Sequence, residues 1–126
     1  MFKKPSLGAE GELLAKKYLI SAGYRILETN FRNTKGKQLG EIDIIAKEND
    51  ELVFIEVKTR IGEYGKSILP ESNITPCKLS KINKVALIYI KIKNLWDKKY
   101  RFDAVSVYIH PQTKNSTINH IKNIYF

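Results

Sequence analysis

The chain has 126 residues, 43% apolar and 28% charged, with a formal net charge of +9. That length suits one domain spanning 1–126 with a proper core. No apolar run reaches a membrane span, and the opening MFKKPSLGAEGE lacks the apolar stretch of a signal peptide. The single cysteine, Cys77, excludes an internal disulfide and any cysteine-rich zinc site. It is expected as a small, partly buried residue of a cytoplasmic protein with no membrane partner.

Residues 1–5 read as a loose basic tail. Ser6 is the expected N-cap of a helix running to Ala22 and stopped by Gly23. Its apolar stripe is Leu7, Gly11, Leu14, Ala15, Tyr18, Leu19 and Ala22. Glu12 falls at the margin of that stripe, from which it can reach over a sheet or serve as a boundary residue. Tyr24 to Phe31 reads as a strand, followed by the polar loop Arg32 to Leu39, either a phosphate contact or a surface turn.

Two runs of alternating apolar residues follow, Ile42-Ile44-Ala46 and Val53-Ile55-Val57, separated by Lys47 to Glu51. This is the pattern of an antiparallel hairpin. A tight turn centred on Asn49-Asp50 sets Asp43 across from Glu56 and Glu41 across from Lys58, all four on one face. Two carboxylates about 5 Å apart repel by roughly 3 kcal/mol at an effective dielectric near 20. A divalent cation on oxygen ligands would relieve that repulsion, with Lys58 beside it. The competing reading is a solvated acid-x-Lys strand, and a three-residue turn would shift the register by one.

Residues 61–76, with two glycines and two prolines, read as a long loop. Thr75-Pro76 opens a helix, with Thr as N-cap and Pro at N1. Leu79, Ile82, Val85, Ala86, Tyr89 and Ile90 fall on one side of it, and Lys81, Lys84 and Lys91 on another. Trp96 is expected to pack in the turn that follows. Arg101 to Ile109 and Thr117 to Phe126 are the last two strands, with His110 and His120 structural or solvent-exposed.

Charge is unevenly placed: residues 1–63 carry a net +1 and residues 64–126 a net +8. A basic surface implies a polyanion, and nucleic acid is the expected partner, most simply DNA. The phosphate contacts would come from Lys78, Lys81, Lys84, Lys91 and Arg60. Lysine outnumbers arginine 18 to 4, so compositional drift is the alternative source of the charge.

The expected order is α-β-β-β-α-β-β, an α/β domain with a mixed sheet flanked by helices. With Asp43 and Glu56-Val57-Lys58 on its second and third strands, it resembles the PD-(D/E)xK restriction-endonuclease-like superfamily. It is more closely similar to the YraN-type family, through GAEGELLAKKYL (8–19), GYRILETNFR (23–32), GEIDIIA (40–46), VFIEVKTR (53–60), ITPCK (74–78) and RFDAVSV (101–107). Ile42 stands where the superfamily signature has proline. The resemblance implies a Mg²⁺- or Mn²⁺-dependent nuclease cutting DNA, including branched or recombining DNA. Asp43, Glu56 and the Val57 carbonyl would bind metal, and Lys58 would position the attacking water. Glu12 matches a first-helix acid of archaeal Holliday-junction resolvases, an analogy that also allows a homodimer. The alternatives are a non-catalytic nucleic-acid-binding or adaptor protein on this fold and an RNA-processing nuclease.

Overall fold

Both helices begin where the sequence supplies a capping hydroxyl. Ser6 accepts from the Ala9 N–H at the start of α1 (Leu7–Ser21), and Thr75 accepts from the Lys78 N–H at the start of α2 (Pro76–Lys93). In the computed structural model, residues 6–62 and 75–124 are described. The expected tail at 1–5 and most of the expected loop at 61–76 lie outside them. Five strands complete the order: β1 (Arg25–Arg32), β2 (Glu41–Glu48), β3 (Glu51–Ile61), β4 (Tyr100–Ile109) and β5 (Ser116–Ile121). Ile61 thus ends a strand, and the last strand is shorter than its alternation suggested.

The strands form one mixed sheet in the order β1-β2-β3-β4-β5. Neighbours are antiparallel except β3 and β4, which run parallel with α2 in the crossover between them. Burial on both faces explains the unbroken apolar run Leu52-Val53-Phe54-Ile55 in β3 and the buried stretch from Phe102 to Ile109 in β4. One face packs Ile44, Ala46, Val53, Ile55, Val57, Val105 and Val107 against Ala15 and Leu19 of α1. The other packs Ile42, Ile45, Phe54 and Phe102 against Ile82, Val85, Ala86, Tyr89 and Ile90 of α2. The fold is therefore α/β, with two helices flanking a five-stranded mixed sheet.

Two packing expectations are corrected. Trp96 is 61% exposed. Asn94 ends α2 in the left-handed region (φ 53°), and Leu95 turns inward instead, its N–H bonded to the Ile90 carbonyl. Cys77 is exposed in the first turn of α2, ahead of the first inward position, Leu79.

Candidate metal centre

The hairpin register is the expected one. Asn49, with φ 54°, makes the turn, and pairing runs from Glu48↔Glu51 to Ile44↔Ile55. That places Asp43 across from Glu56. There the ladder gives way, and Asp43 Oδ2 accepts from the Val57 N–H at 2.8 Å.

The face assignment is not the expected one. Ile42 packs on the α2 side and Ile44 on the α1 side, although they are two residues apart. Simple alternation therefore breaks at Asp43. The neighbouring strand breaks with it: Asn30 lies between the pairs Thr29↔Ile44 and Phe31↔Ile42 and has φ 53°. Asparagine tolerates this left-handed backbone better than most residues. The switch turns Glu41 toward α1, while Glu56 and Lys58 stay on the α2 side. Glu41 consequently pairs with Arg32 across β1 (2.7 Å), not with Lys58.

Helix α1 delivers Glu12 to the same place, through a contact only glycine permits. A Cβ built on Gly11 would lie 1.7 Å from Thr59 Oγ1 of β3. The helix therefore rests directly on the strand, and Glu12 follows at its edge. One carboxylate oxygen each from Glu12, Glu41 and Asp43 lie within 4.8 Å of one another. The Asn30 amide ties two of them together. Its Nδ2 donates to both Glu12 oxygens at 3.2 Å and to Glu41 Oε1 at 2.7 Å.

Glu56, whose side chain is 13% exposed, faces two lysines. Lys78 Nζ from α2 lies 2.7 Å from its Oε1, and Lys58 Nζ lies 3.7 Å from the same atom. Among the described residues no lysine is ion-paired to Asp43, although Lys58 and Lys78 act on it at longer range. Burial, then the neighbouring Glu56 charge, push its carboxyl up to about 7, against the pull of the Val57 N–H. Glu12 and a hydrogen bond shared with Glu56 add to the rise. The Lys58 ammonium is held below its usual range, first by its hydrogen bond with Lys78 and then by burial.

The family model described as Uncharacterised protein family UPF0102 matches residues 11–107, a span that includes every acid of this cluster. Similar proteins cover nearly the whole chain. A UPF0102 protein of Clostridium beijerinckii is 43% identical over 120 residues, 94% of this chain and 92% of the relative. One from Clostridium botulinum strain Loch Maree is 45% identical over 121 residues, 94% and 93%. One from Thermodesulfovibrio yellowstonii is 42% identical over 123 residues, 95% and 96%. The chain belongs to the UPF0102 family.

In this UPF0102 protein the oxygen-only donor set of Glu12, Glu41 and Asp43 is of the kind that suits a hard divalent cation, and the cluster could hold a metal ion. The fit is also electrostatic, because the half-buried Asp43 lies among acids whose charge a cation would offset. The other expected site residues lie around it. Val57 is nearly buried, with its N–H on Asp43. Lys81, Lys84 and Lys91 are exposed along α2. Arg60 is half-buried on β3, and its Nε has no hydrogen-bond partner among the described residues. Lys78, placed by sequence with the phosphate-contacting lysines, is ion-paired to Glu56. No helix among the described residues is long and apolar enough to cross a membrane.

Sequence reasoning left Glu41 out of the ligand set and missed Asn30 as its bridge. The signal for Asn30 was present, since asparagine is a poor strand former in the middle of a strand-forming run. His120 is structural, held between Tyr18 and Asp103. His110 Nδ1 accepts the Gln112 and Thr113 N–H groups of the turn before β5. The loop of residues 33–40 is built on Asn33, whose side chain bonds the Lys35 and Lys37 carbonyls and the Leu39 N–H.

Proposed function

We propose that this UPF0102 protein is a Mg²⁺- or Mn²⁺-dependent nuclease that hydrolyses DNA phosphodiesters, branched or recombining DNA among them. The observation that carries this reading is Asp43: half-buried, set against Glu56, and with a carboxylate oxygen within 4.8 Å of those of Glu12 and Glu41. Resemblance to the PD-(D/E)xK superfamily supports it, since Asp43, Glu56 and Lys58 match that site. When bound, the cation would supply charge stabilisation at the scissile phosphate and help generate the nucleophile.

The chain's own residues would do the rest. Asp43 and Glu56 would hold the cation with the Val57 carbonyl, and Glu12 and Glu41 would complete or brace the shell. Asn30 and Arg32 fix the two glutamates from behind. Lys58 orients the attacking water and offsets developing charge. Lys81, Lys84, Lys91 and Arg60 contact phosphates without reading sequence.

Incubation with labelled four-way, flapped and linear DNA, and with RNA hairpins, in Mn²⁺ tests the reading. DNA cleavage abolished by Asp43→Ala and by Glu56→Ala is the expected result. Binding without metal-dependent cleavage would instead support a non-catalytic adaptor, and cleavage confined to RNA an RNA-processing enzyme.

A further inference from the structure

Lys78 is oddly placed for a helical lysine. It sits in the first turn of α2, where the helix dipole disfavours a cation and where no acid offsets it. Its ammonium lies on Glu56 Oε1, an atom already approached by Lys58. Two cations thus share one carboxylate oxygen of Glu56, while among the described residues neither makes an ion pair with its neighbour Asp43. Neither helix propensity nor charge balance around the helix terminus accounts for this arrangement, whereas the need to neutralise Glu56 does.

We propose that Lys78 is the resident counter-cation of Glu56, which a divalent ion must displace before Glu56 can serve as its ligand. This rests on the metal-dependent reading above. The chemistry is competition for one oxygen. A metal on Glu56 would sit against two ammonium groups, and Lys78 is the one free to leave. Its backbone is on α2, outside the sheet, and its side chain is 35% exposed. Lys58 is fixed on the same strand as Glu56. The glutamates on the α1 side have their own partners, Asn30 and Arg32, and among the described residues Lys78 is the cation that reaches Glu56 from outside the sheet. Lys78 is then a positioning residue that sets how much metal the protein holds.

Calorimetric titration of the full chain with MnCl₂ tests this without reference to cleavage. Lys78→Met, or Lys78→Gln as a polar second variant, is expected to bind Mn²⁺ roughly tenfold more tightly than the native chain. Lys78→Arg should restore near-native affinity, and Lys99→Met on a distant turn should change nothing. Unchanged or weaker Mn²⁺ binding by Lys78→Met, with binding still lost in Asp43→Asn, would overturn the role of Lys78 and leave the metal site standing. Absence of Mn²⁺ binding in every form would overturn both.

Discussion

Two clusters of charged residues are withdrawn from solvent in this molecule, one around the buried Asp103 and one around the half-buried Asp43, and they are solved in opposite ways. Near the β2–β3 turn, Arg101 donates to Asp103 at 3.0 Å, Glu51 at 2.5 Å, Glu48 at 3.0 Å and the Tyr24 hydroxyl at 2.9 Å. Asp103, with no exposed side-chain surface, also accepts from His120 at 2.8 Å and from the Asn123 N–H at 3.0 Å. Burial alone would raise the Asp103 carboxyl, but His120, Arg101 and Asn123 together hold it below the usual range. At the other cluster Asp43 receives one N–H, from Val57, and faces acids, so burial wins and its carboxyl rises to about 7. Burial is common to both, and partners decide the sign. A charge cluster that is part of the scaffold is balanced from within. One that is left unbalanced from within could be balanced by an external cation.

The sharpest way to break this comparison is to remove the partner from the balanced cluster. Arg101→Met leaves Asp103 buried without its main cation, and Glu48 and Glu51 without theirs. Loss of one partner from a buried ion pair costs about 3–5 kcal/mol. Urea unfolding should show a destabilisation of that order, with no gain on adding Mn²⁺. Native-like stability of the variant would mean the network contributes little and the contrast is false.

Next in size is the seat of α1. Gly11→Ala puts a methyl where Thr59 Oγ1 now lies, and overpacking of this kind typically costs about 1–3 kcal/mol. Because Glu12 rides on the same turn, Mn²⁺ affinity should fall together with stability. The double change Gly11→Ala with Thr59→Ala removes Oγ1 and Cγ2 from the contact and should recover part of both losses. Recovery of stability without recovery of affinity would separate Glu12 from the centre.

Much of the scaffold was legible in the sequence, for identifiable reasons. All six inward residues of α2, from Leu79 to Ile90, follow from one helical period, and the Thr75-Pro76 start is chemistry local to three residues. The hairpin register follows from a two-residue turn at Asn49-Asp50. What escaped is where period-two reasoning fails. The positive φ of Asn30 and the broken alternation at Asp43 move Glu41 to the other face, and neither is set by pattern alone. Lys78 reads as one more exposed lysine until the crossover folds α2 back over β3. Trp96 and Cys77 are exposed because the backbone at each end of α2 aims a neighbour inward instead.

Smaller, but closer to the centre of the comparison, is the pH dependence of the metal-free protein. Asp43 has a folded-state pKa of about 7 against an ordinary value of 3.8. A raised pKa means the folded state holds its proton more tightly than the unfolded one. The associated stability is fully present below about pH 4, falls as pH rises, and is lost once pH passes about 7. Asp43→Asn does not titrate, so in EDTA it should match the native chain at pH 4. It should exceed the native chain increasingly as pH rises from 4, with the full difference reached above pH 7. Mn²⁺ should then stabilise the native chain and not the variant. A difference between the two that does not vary with pH would mean Asp43 is already balanced, like Asp103.

The smallest effects belong to the exposed lysines, and they carry information through their order. From Lys78, at the site, α2 rises about 1.5 Å per residue. Lys81 therefore stands roughly 5 Å along the axis, Lys84 about 9 Å and Lys91 about 20 Å. A surface that is merely basic would lose DNA affinity equally with each substitution by alanine. A backbone laid across the metal centre and along α2 predicts a gradient instead, with Lys81 losing most and Lys91 least. Each true phosphate contact removed should also flatten the dependence of log affinity on log salt by about 0.9. Titration of each variant at several salt concentrations checks both. Equal losses with an unchanged slope would detach the lysine row from the centre, leaving its charge as composition and not as a binding surface.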